Sequence, residues 1–451
     1  MKKIVSIIVI LATTGIILPS CKKIIDKDPA KKISDQTALS TVDGIQTALI
    51  GTYNSMTNQY LYGGCIWVCS DMLANNITPS GDGNIVYEET QMMEKAMSPD
   101  NLLSASFWGQ AYYTLNMANA IIQAVGSVAP SKDIIDNVTG NCEFIRAMVY
   151  FDMIRLLGNT TQGTPAYGLA VPLLTSPSSV TDRPARATIE EVYTQIIKDL
   201  IDAGQRLGET DAHNLATKYA ALGLLSRVYF YHGDWALAET AASTVIESGK
   251  YGLDANLMSA FNVTNTTIPA TKETVFALMS TILVPSGQQL FYYYSKVISG
   301  KFAPSGNILN LFVFTGGISD KRFTSWFKDI DGKYSTIMFD DKYFNVPLIR
   351  LGEIYLNRAE SRYNLGNTSG ALSDMNAIRE RAGLNDTTVV NLTLLYRERT
   401  KELVLQGDNF FNMKRLKKTN ISNKHLNWDS ESLLYLVPQR EMDINSSLIQ
   451  N

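Results

Sequence analysis

Residues 217–250 read TKYAALGLLSRVYFYHGDWALAETAASTVIESGK, and this stretch decides the fold. Apolar residues recur at helical spacing on both sides of Gly233, which favours two helices joined by a turn. Small residues fall where two packed helices would cross, at Ser226 in the first helix and at Ala238 and Ala242 in the second. Larger side chains there would push the helices apart. The stretch therefore predicts a helix hairpin of the tetratricopeptide type, whose repeat is about 34 residues long.

A second copy of this pattern lies at residues 350–382, RLGEIYLNRAESRYNLGNTSGALSDMNAIRERA. Ala359 and Ala371 occupy the positions of the small crossing residues, and Gly366 marks the turn. Two looser candidates pair residues 142–157 with 188–207, and residues 48–56 with 107–125. Because the copies are far apart in the sequence, they do not form a tandem array. We expect a mainly α fold with about four tetratricopeptide-like helix pairs.

Two long stretches between these segments show no helical periodicity, residues 58–104 and residues 251–343. Both contain aromatic residues, glycines and polar residues. Loops of this length in a compact fold are usually functional. We therefore expect the helix pairs to frame long irregular loops with few short strands, one of them near residues 275–278.

The N-terminus predicts export. Residues 1–3 carry two lysines, and residues 4–18 form an almost wholly apolar run. The run is shorter than the roughly 20 residues of a transmembrane helix, and a basic start before a short apolar run is typical of a secretory signal. It ends at Leu-Pro-Ser-Cys, which resembles the bacterial lipobox. We expect residues 1–20 to be removed and Cys21 to carry several acyl chains, which would anchor the protein stably; the alternative is an ordinary signal followed by a chance cysteine.

The composition restricts the kinds of partner. The 451-residue chain has a formal net charge of -3 and contains 45% hydrophobic and 18% charged residues, which indicates a globular protein without the basic excess of a nucleic-acid binder. Beyond Cys21 the cysteines are Cys65, Cys69 and Cys142, whose odd number cannot all pair and whose spacing fits no zinc motif. A bridge between Cys65 and Cys69 and buried free thiols both remain open at this stage.

The sequence contains none of the common catalytic motifs. The three histidines are scattered, and there is no nucleophile elbow and no phosphate-binding loop. Residues 329–332 have some calcium-loop character but lack most of the ligands, so a plain turn is favoured. The acidic pairs at 88–89 and 340–341 could serve a glycosidase only if folding brought carboxylates together. We expect no catalytic residues, no metal and no cofactor.

Several segments in the same order along the chain resemble the SusD/RagB family, surface glycan-binding lipoproteins of Bacteroidetes. They are TALIGTY at 47–53, Trp108 with Tyr112, Asn116 and Asn119, the FIRAMVYF stretch at 144–151, PLIRLGEIYLNRAE at 347–360, NAIRERAGL at 376–384, and the closing residues 437–451. The chain departs from the family at QGDN, residues 406–409, where an arginine is common. The resemblance is dispersed over nearly the whole chain after the signal.

This resemblance implies a non-catalytic receptor. Members of the family sit over a SusC-like TonB-dependent transporter in the outer membrane, capture oligosaccharide and deliver it into the barrel. It also implies an N-terminal SusD-like region at residues 21–230 and a C-terminal RagB/SusD region at 231–451, which together form one compact fold. The expected location is the outer membrane, lipid-anchored through Cys21 and facing the cell surface.

The resemblance places the ligand site on loops outside the helix pairs, where no motif fixes the residues. Sugar rings offer apolar faces to aromatic planes and hydroxyl groups to polar side chains. We therefore expect sugar rings to stack on Trp67, Tyr87, Tyr292 and Trp326. We expect sugar hydroxyl groups to contact Asp71, Asn75 and Arg322. If residues 292–294 are extended, their three tyrosines alternate, so that at most one or two face a ligand.

Three alternatives remain open from the sequence. A receptor of the same architecture could bind peptides instead of glycans. A surface glycoside hydrolase or lyase would release products from polysaccharide. A helical-repeat scaffold would bind another protein and show no affinity for sugar.

Overall fold

The computed structural model describes residues 38–451 apart from 82, 129–130, 180, 211–214, 265–270, 314–319, 420 and 422–423. The predicted signal peptide at residues 1–20 and the predicted lipidation at Cys21 lie outside the described residues. Among the helices of the described part, none combines the length and the apolar character needed to cross a bilayer.

The described part of the chain is mainly helical, as expected from the sequence. Its sixteen α-helices are α1 Val42–Met56, α2 Cys65–Leu73, α3 Tyr87–Met93, α4 Leu102–Val128, α5 Lys132–Leu157, α6 Ile189–Arg206, α7 Lys218–His232, α8 Trp235–Glu247, α9 Gln288–Tyr294, α10 Gly306–Val313, α11 Lys321–Trp326, α12 Leu351–Asn364, α13 Thr368–Arg381, α14 Leu392–Glu402, α15 Asp408–Arg415 and α16 Gln439–Ile444. Its six short strands are β1 Ile77–Pro79, β2 Thr274–Leu278, β3 Phe302–Pro304, β4 Phe327–Ile330, β5 Lys333–Thr336 and β6 Val346–Arg350. They form three antiparallel pairs, β1–β3, β2–β6 and β4–β5.

The two hairpins predicted from the small crossing residues are present as α7–α8 and α12–α13. Thr217 begins α7 because its hydroxyl accepts a hydrogen bond from the Ala220 N–H at 3.2 Å. Gly233 ends the helix with a φ of 97°, a left-handed conformation that glycine adopts without a Cβ penalty. The small residues predicted at the crossings, Ser226, Ala238, Ala242, Ala359 and Ala371, are all fully buried. Their burial confirms that these helices approach closely.

The helix pairs α1–α4, α5–α6, α7–α8 and α12–α13 form what we call the helical frame. Adjacent helices continue the packing between pairs, since α4 also packs on α5, α6 on α7, and α8 on α12. The looser pairs predicted from the sequence are therefore present, with α4 and α5 longer than their predicted segments. The boundary expected between residues 230 and 231 falls inside α7, and one hydrophobic core extends across it.

The two stretches expected to be irregular loops are more ordered than the sequence suggested. Residues 58–104 contain α2, α3 and β1, and residues 251–343 contain α9, α10 and α11 with four strands. The sequence did not predict these helices because they span only six to nine residues, about two turns, too few for a clear periodicity. Pairing of Ile77 with Pro304 joins the two stretches, which we call the loop layer. The strand expected near residues 275–278 is confirmed as β2.

A buried cluster of charges connects the helical frame to the loop layer. Glu402 of α14 accepts a hydrogen bond from Arg350 at 3.0 Å and also pairs with Arg381 and, at 3.4 Å, with Arg322 of α11. Arg350 in turn donates to Glu273 at 2.7 Å. Although burial opposes ionisation, the surrounding arginines lower the pKa of Glu402 to about 2. These ion pairs fix α11 and the β2–β6 pair against α13 and α14.

Candidate functional site

Three of the predicted site residues lie on one helix of the loop layer. Trp67, Asp71 and Asn75 are spaced four residues apart along α2 and just beyond its end, so they share one side of it. Trp67 is half-buried, with its ring centroid 6.3 Å from that of Phe339. Asp71 is fully buried. Trp67 is therefore partly accessible to solvent, whereas Asp71 is not.

Asp71 takes part in an internal hydrogen-bond network. The Asn76 amide donates to Oδ1 of Asp71 at 2.6 Å, and the Tyr294 hydroxyl donates to its Oδ2 at 3.3 Å. Burial raises the pKa of Asp71 to about 7, although these two hydrogen bonds favour the charged form. The carboxylate therefore holds α2 against α9 and has no exposed face for a ligand hydroxyl, contrary to its predicted role.

Asn75 is held at the end of α2. Its φ is 55°, a left-handed conformation, and its side-chain oxygen accepts a hydrogen bond from the Lys95 ammonium. The same ammonium donates to the carbonyl of Met72 at 3.0 Å and to that of Met93 at 2.7 Å. Lys95 thereby ties the C-terminal end of α2 to that of α3. The amide oxygen of Asn75 is engaged, while its side chain as a whole is half-buried.

Tyr292 projects outward from a helix, so the extended conformation considered for residues 292–294 was wrong. Within α9, Tyr292 is 44% exposed, whereas Tyr293 and Tyr294 are buried. Helical spacing turns these two rings inward against α2 and leaves the ring of Tyr292 outside. Gln288, one turn earlier, donates its side-chain amide to the Tyr292 hydroxyl at 3.2 Å. One tyrosine of the three is thus available to a ligand.

Tyr87 is the most exposed of the predicted aromatic residues, at 72%. It opens α3, which lies beside the segment that follows α9. Lys301 links them, because its ammonium donates to Glu89 of α3 at 2.8 Å and lies 5.6 Å from the ring centroid of Tyr293. Tyr87 and Tyr292 are therefore exposed on neighbouring elements of the loop layer.

Arg322 and Trp326 lie in the interior, so their prediction as ligand contacts is corrected. Both belong to α11 and are fully buried. The Trp326 indole donates to the Leu257 carbonyl at 3.0 Å, and the Arg322 guanidinium donates to Asp320 at 2.8 and 2.9 Å. The prediction failed because it relied on residue type alone, whereas the short helix α11 turns the side chains of Arg322 and Trp326 into the core.

The sequence did not single out several exposed aliphatic residues that lie before and after α9 along the chain. Ile282 and Leu283 are 83% and 92% exposed in the turn before α9, and Val297 is 70% exposed after it. We use "loop face" for the exposed residues Val86, Tyr87, Ile282, Leu283, Tyr292, Val297 and Ile298. The run of three aliphatic residues at 282–284, directly before Pro285, was the available signal, since turns rarely favour such residues. Exposed apolar residues are typical of a binding region where they form one contiguous patch.

The cavities of the described structure lie away from the loop face. A cavity of about 50 Å³ beside Trp67 is lined by charged groups that include Asp152 and Arg227, and it suits water better than a sugar. A cavity of about 360 Å³ lies at the β2–β6 pair, with Tyr251 and Phe276 in its walls. It contains none of the residues predicted from the sequence. The exposed rings of Tyr87 and Tyr292 therefore line none of these cavities.

The described residues show little that resembles a catalytic or metal centre. Within them, no group of three or more His, Cys, Asp or Glu side chains is placed to hold a metal ion. Cys65, Cys69 and Cys142 are buried free thiols, with the first two sulfur atoms 3.0 Å apart, so the bridge left open by the sequence is absent. In the acidic pair at 88–89, Glu89 forms an ion pair with Lys301. In the pair at 340–341, Asp340 accepts a hydrogen bond from the Ser295 hydroxyl at 2.6 Å.

Comparisons with known proteins agree with this architecture. Residues 26–230 match a family described as SusD-like, "Starch-binding associating with outer membrane", and residues 310–451 match the SusD family. A SusD superfamily protein from Bacteroides thetaiotaomicron has a similar structure, with a TM-score of 0.80 and 26% identity over 91% of this chain and 99% of that chain.

Two curated relatives extend the comparison. A SusD-like protein from Bacteroides ovatus is 24% identical over 473 aligned positions, which cover 90% of this chain and 81% of the relative. SusD-like protein P2 from Formosa agariphila is 27% identical over 247 residues, which cover 54% of this chain and only 46% of that relative. The family matches support a carbohydrate-binding role and an association with the outer membrane. From its helical frame, its loop layer and these matches, the chain belongs to the SusD/RagB family.

Proposed function

We propose that this protein is a surface-exposed, non-catalytic, glycan-binding lipoprotein, which captures oligosaccharide or polysaccharide and delivers it to a SusC-like TonB-dependent outer-membrane transporter. The observation that carries the proposal is the match of residues 26–230 to a starch-binding family, because that region contains Trp67 and Tyr87. Cys21 would carry the lipid that keeps the receptor beside its transporter.

The loop face supplies the chemistry that a glycan requires. Tyr292 exposes an aromatic ring, and Tyr87 exposes another on the neighbouring helix. A pyranose ring packs its C–H face on such a ring, and the tyrosine hydroxyl can contact the sugar hydroxyls. Gln288 restrains the Tyr292 side chain through the hydrogen bond to its hydroxyl. Asp71 and Asn75 contribute indirectly in this proposal, since they hold α2 in place against α9 and α3.

The proposal is tested by titrating the purified protein with oligosaccharides. Tyr292→Ala is expected to weaken glycan binding, because an aromatic contact contributes about 0.5–1.5 kcal/mol, which corresponds to about 2- to 13-fold in affinity. Tyr87→Ala is expected to act in the same direction. Tyr167→Ala is the matched control, since Tyr167 is also exposed, at 53%, but lies outside the loop face. Equal affinities for all three variants and the unchanged protein would refute this site.

The same titration distinguishes the alternatives. A peptide receptor would bind members of a peptide library and no glycan, whereas a scaffold would bind neither. A glycoside hydrolase would shorten the polysaccharide during the titration. The contacts of Glu89 with Lys301 and of Asp340 with Ser295 speak against these carboxylates as a free catalytic pair.

A further inference from the structure

A further cavity, of about 200 Å³, lies between two helices at the C-terminal end of the helical frame. Its walls are Met375 and Arg379 of α13, Thr387 of the connecting segment, and Leu394, Arg397, Glu398 and Lys401 of α14. No residue of the loop face contributes to it. One water molecule needs roughly 10–15 Å³ of such space, so there is room for a single sugar ring.

Positive charge dominates the walls of this cavity. Three cationic side chains line it, against the single carboxylate of Glu398. That carboxylate is already occupied, because it pairs with Arg322 on one side and with Arg379 at 3.4 Å on the other. It therefore leaves little negative charge for the remaining cations of the cavity.

The two arginines of this cavity are less well paired with carboxylates than most others, since Arg379 has only the 3.4 Å contact with Glu398 among the described carboxylates. Arg379 donates from two nitrogens, at 2.8 and 3.2 Å, to the carbonyl oxygen of Asn385, which is an uncharged acceptor. Among the described carboxylates, none pairs with Arg397. By contrast, Arg146 donates two hydrogen bonds, of 2.7 and 2.8 Å, to the carboxylate of Asp199. The guanidinium of Arg397 is free to make such a two-pronged contact with an oxyanion.

Lys401 adds a buried charge to the same wall. Its side chain is only 4% exposed, and its ammonium lies 3.3 Å from Asp320, whose carboxylate is also bound by Arg322. Burial lowers the pKa of Lys401, and the Coulomb attraction of Glu398 and Asp320 opposes this. A further anion close to this ammonium would offset the cost of burying it.

We propose that this cavity is a second binding site that takes the carboxylate or sulfate group of an acidic sugar. Arg397 would bind the oxyanion through paired N–H groups, and Lys401 would supply charge from the interior end. Met375 and Leu394 would pack against the apolar face of the sugar ring. The site goes beyond the loop face proposed above, because it selects ligands by charge and does not depend on stacking against tyrosines.

The test uses the purified full-length mature chain and three small probes at constant ionic strength: D-glucuronate, D-glucose 6-sulfate and neutral D-glucose. We expect one or both of the acidic probes to bind, with neutral glucose giving no response that depends on Arg397. Arg397→Gln is expected to weaken the binding of the acidic probes at least about tenfold, because hydrogen bonds to charged groups are strong. Arg397→Lys keeps the positive charge but loses the paired N–H groups of the guanidinium, so its affinity for the acidic probes should lie between those of the parent and of Arg397→Gln.

Arg440→Gln is the matched control, because Arg440 is exposed on α16 and lines none of the cavities described above. Unfolding curves of each variant would establish that it is folded as the parent is. Tyr292→Ala should leave the binding of the acidic probes unchanged, which separates this site from the loop face. The proposal is overturned if neither acidic probe binds, or if Arg397→Gln and Arg440→Gln have the same affinity. The identity of the acidic probe that binds assigns the site to carboxylate or to sulfate.

Discussion

Asp71 shows how a single buried acid can support a ligand-binding surface without touching the ligand. It accepts hydrogen bonds from Asn76 and from Tyr294, and Tyr294 belongs to the helix that exposes Tyr292. The sequence drew attention to this stretch because it combines aromatic and polar residues outside the segments of helical periodicity, although Asp71 lies in the helix α2. It could not distinguish a supporting acid from a contacting one, since both roles require the same type of residue.

Replacing Asp71 should change the pH dependence of stability. Its pKa is about 7 in the folded protein and about 3.9 in the unfolded chain, so the folded state holds the proton more tightly. The resulting stabilisation is complete below about pH 4 and is lost as the pH rises through 7. Asp71→Asn should therefore be more stable than the parent at pH 8, by up to about 4 kcal/mol, with little difference at pH 4.

Urea unfolding at pH 4 and pH 8 measures this difference. Asp100→Asn provides the control, because Asp100 is exposed and should show no such change between the two pH values. A lower stability of Asp71→Asn at both pH values would contradict the assignment of a pKa near 7.

Among the elements, the helix hairpins were predictable and the short helices were not. Ser226, Ala238 and Ala359 mark helix crossings in the sequence, because only small side chains allow two helices to approach closely. The periodicity of α7 and α12 extends over about four turns. In contrast, α9 and α11 span seven and six residues, and tertiary packing decides which of their side chains turn inward. Tyr292 and Trp326 consequently face opposite environments although the sequence around each suggested an irregular loop.

Enlarging a crossing residue tests the hairpin directly. Ala238 is fully buried in α8, so Ala238→Leu should overpack the contact with α7 and destabilise the protein by about 1–3 kcal/mol. Ala236→Leu on the same helix is the control, because Ala236 is exposed and its replacement should change stability by less than about 0.5 kcal/mol. Chemical denaturation measures both. Equal effects would mean that α7 and α8 do not cross at Ala238.

At the scale of the whole molecule, one core and one buried charge cluster unite the two halves of the chain. Arg350, Glu402 and Arg322 connect the frame with the loop layer, and Asn451 donates its side-chain amide to the Leu157 carbonyl at 3.0 Å. The family resemblance was predictable because its motifs keep their order along the chain. The sequence could not predict which loops expose aromatic residues, because their exposure depends on contacts between distant segments, such as the pairing of Ile77 with Pro304.

The lipid anchor makes a prediction about the whole molecule in the cell. Cys21→Ser should abolish labelling by a fatty acid and shift the protein from the membrane fraction to the released fraction, because the anchoring acyl chains are lost. Lys22→Ser changes the adjacent residue and should leave both the fatty-acid labelling and the membrane association unchanged. Continued membrane association and labelling of Cys21→Ser would contradict the assignment of the anchor.

The most direct test of the central claim combines binding with product analysis for a panel of neutral and acidic polysaccharides. The purified protein is titrated with each, and the same samples are then assayed for new reducing ends and unsaturated products. We predict saturable binding to at least one polysaccharide, with no new chain ends after prolonged incubation. Cleavage of the bound polysaccharide, or binding of peptides with no saturable binding of any glycan, would contradict a non-catalytic glycan receptor.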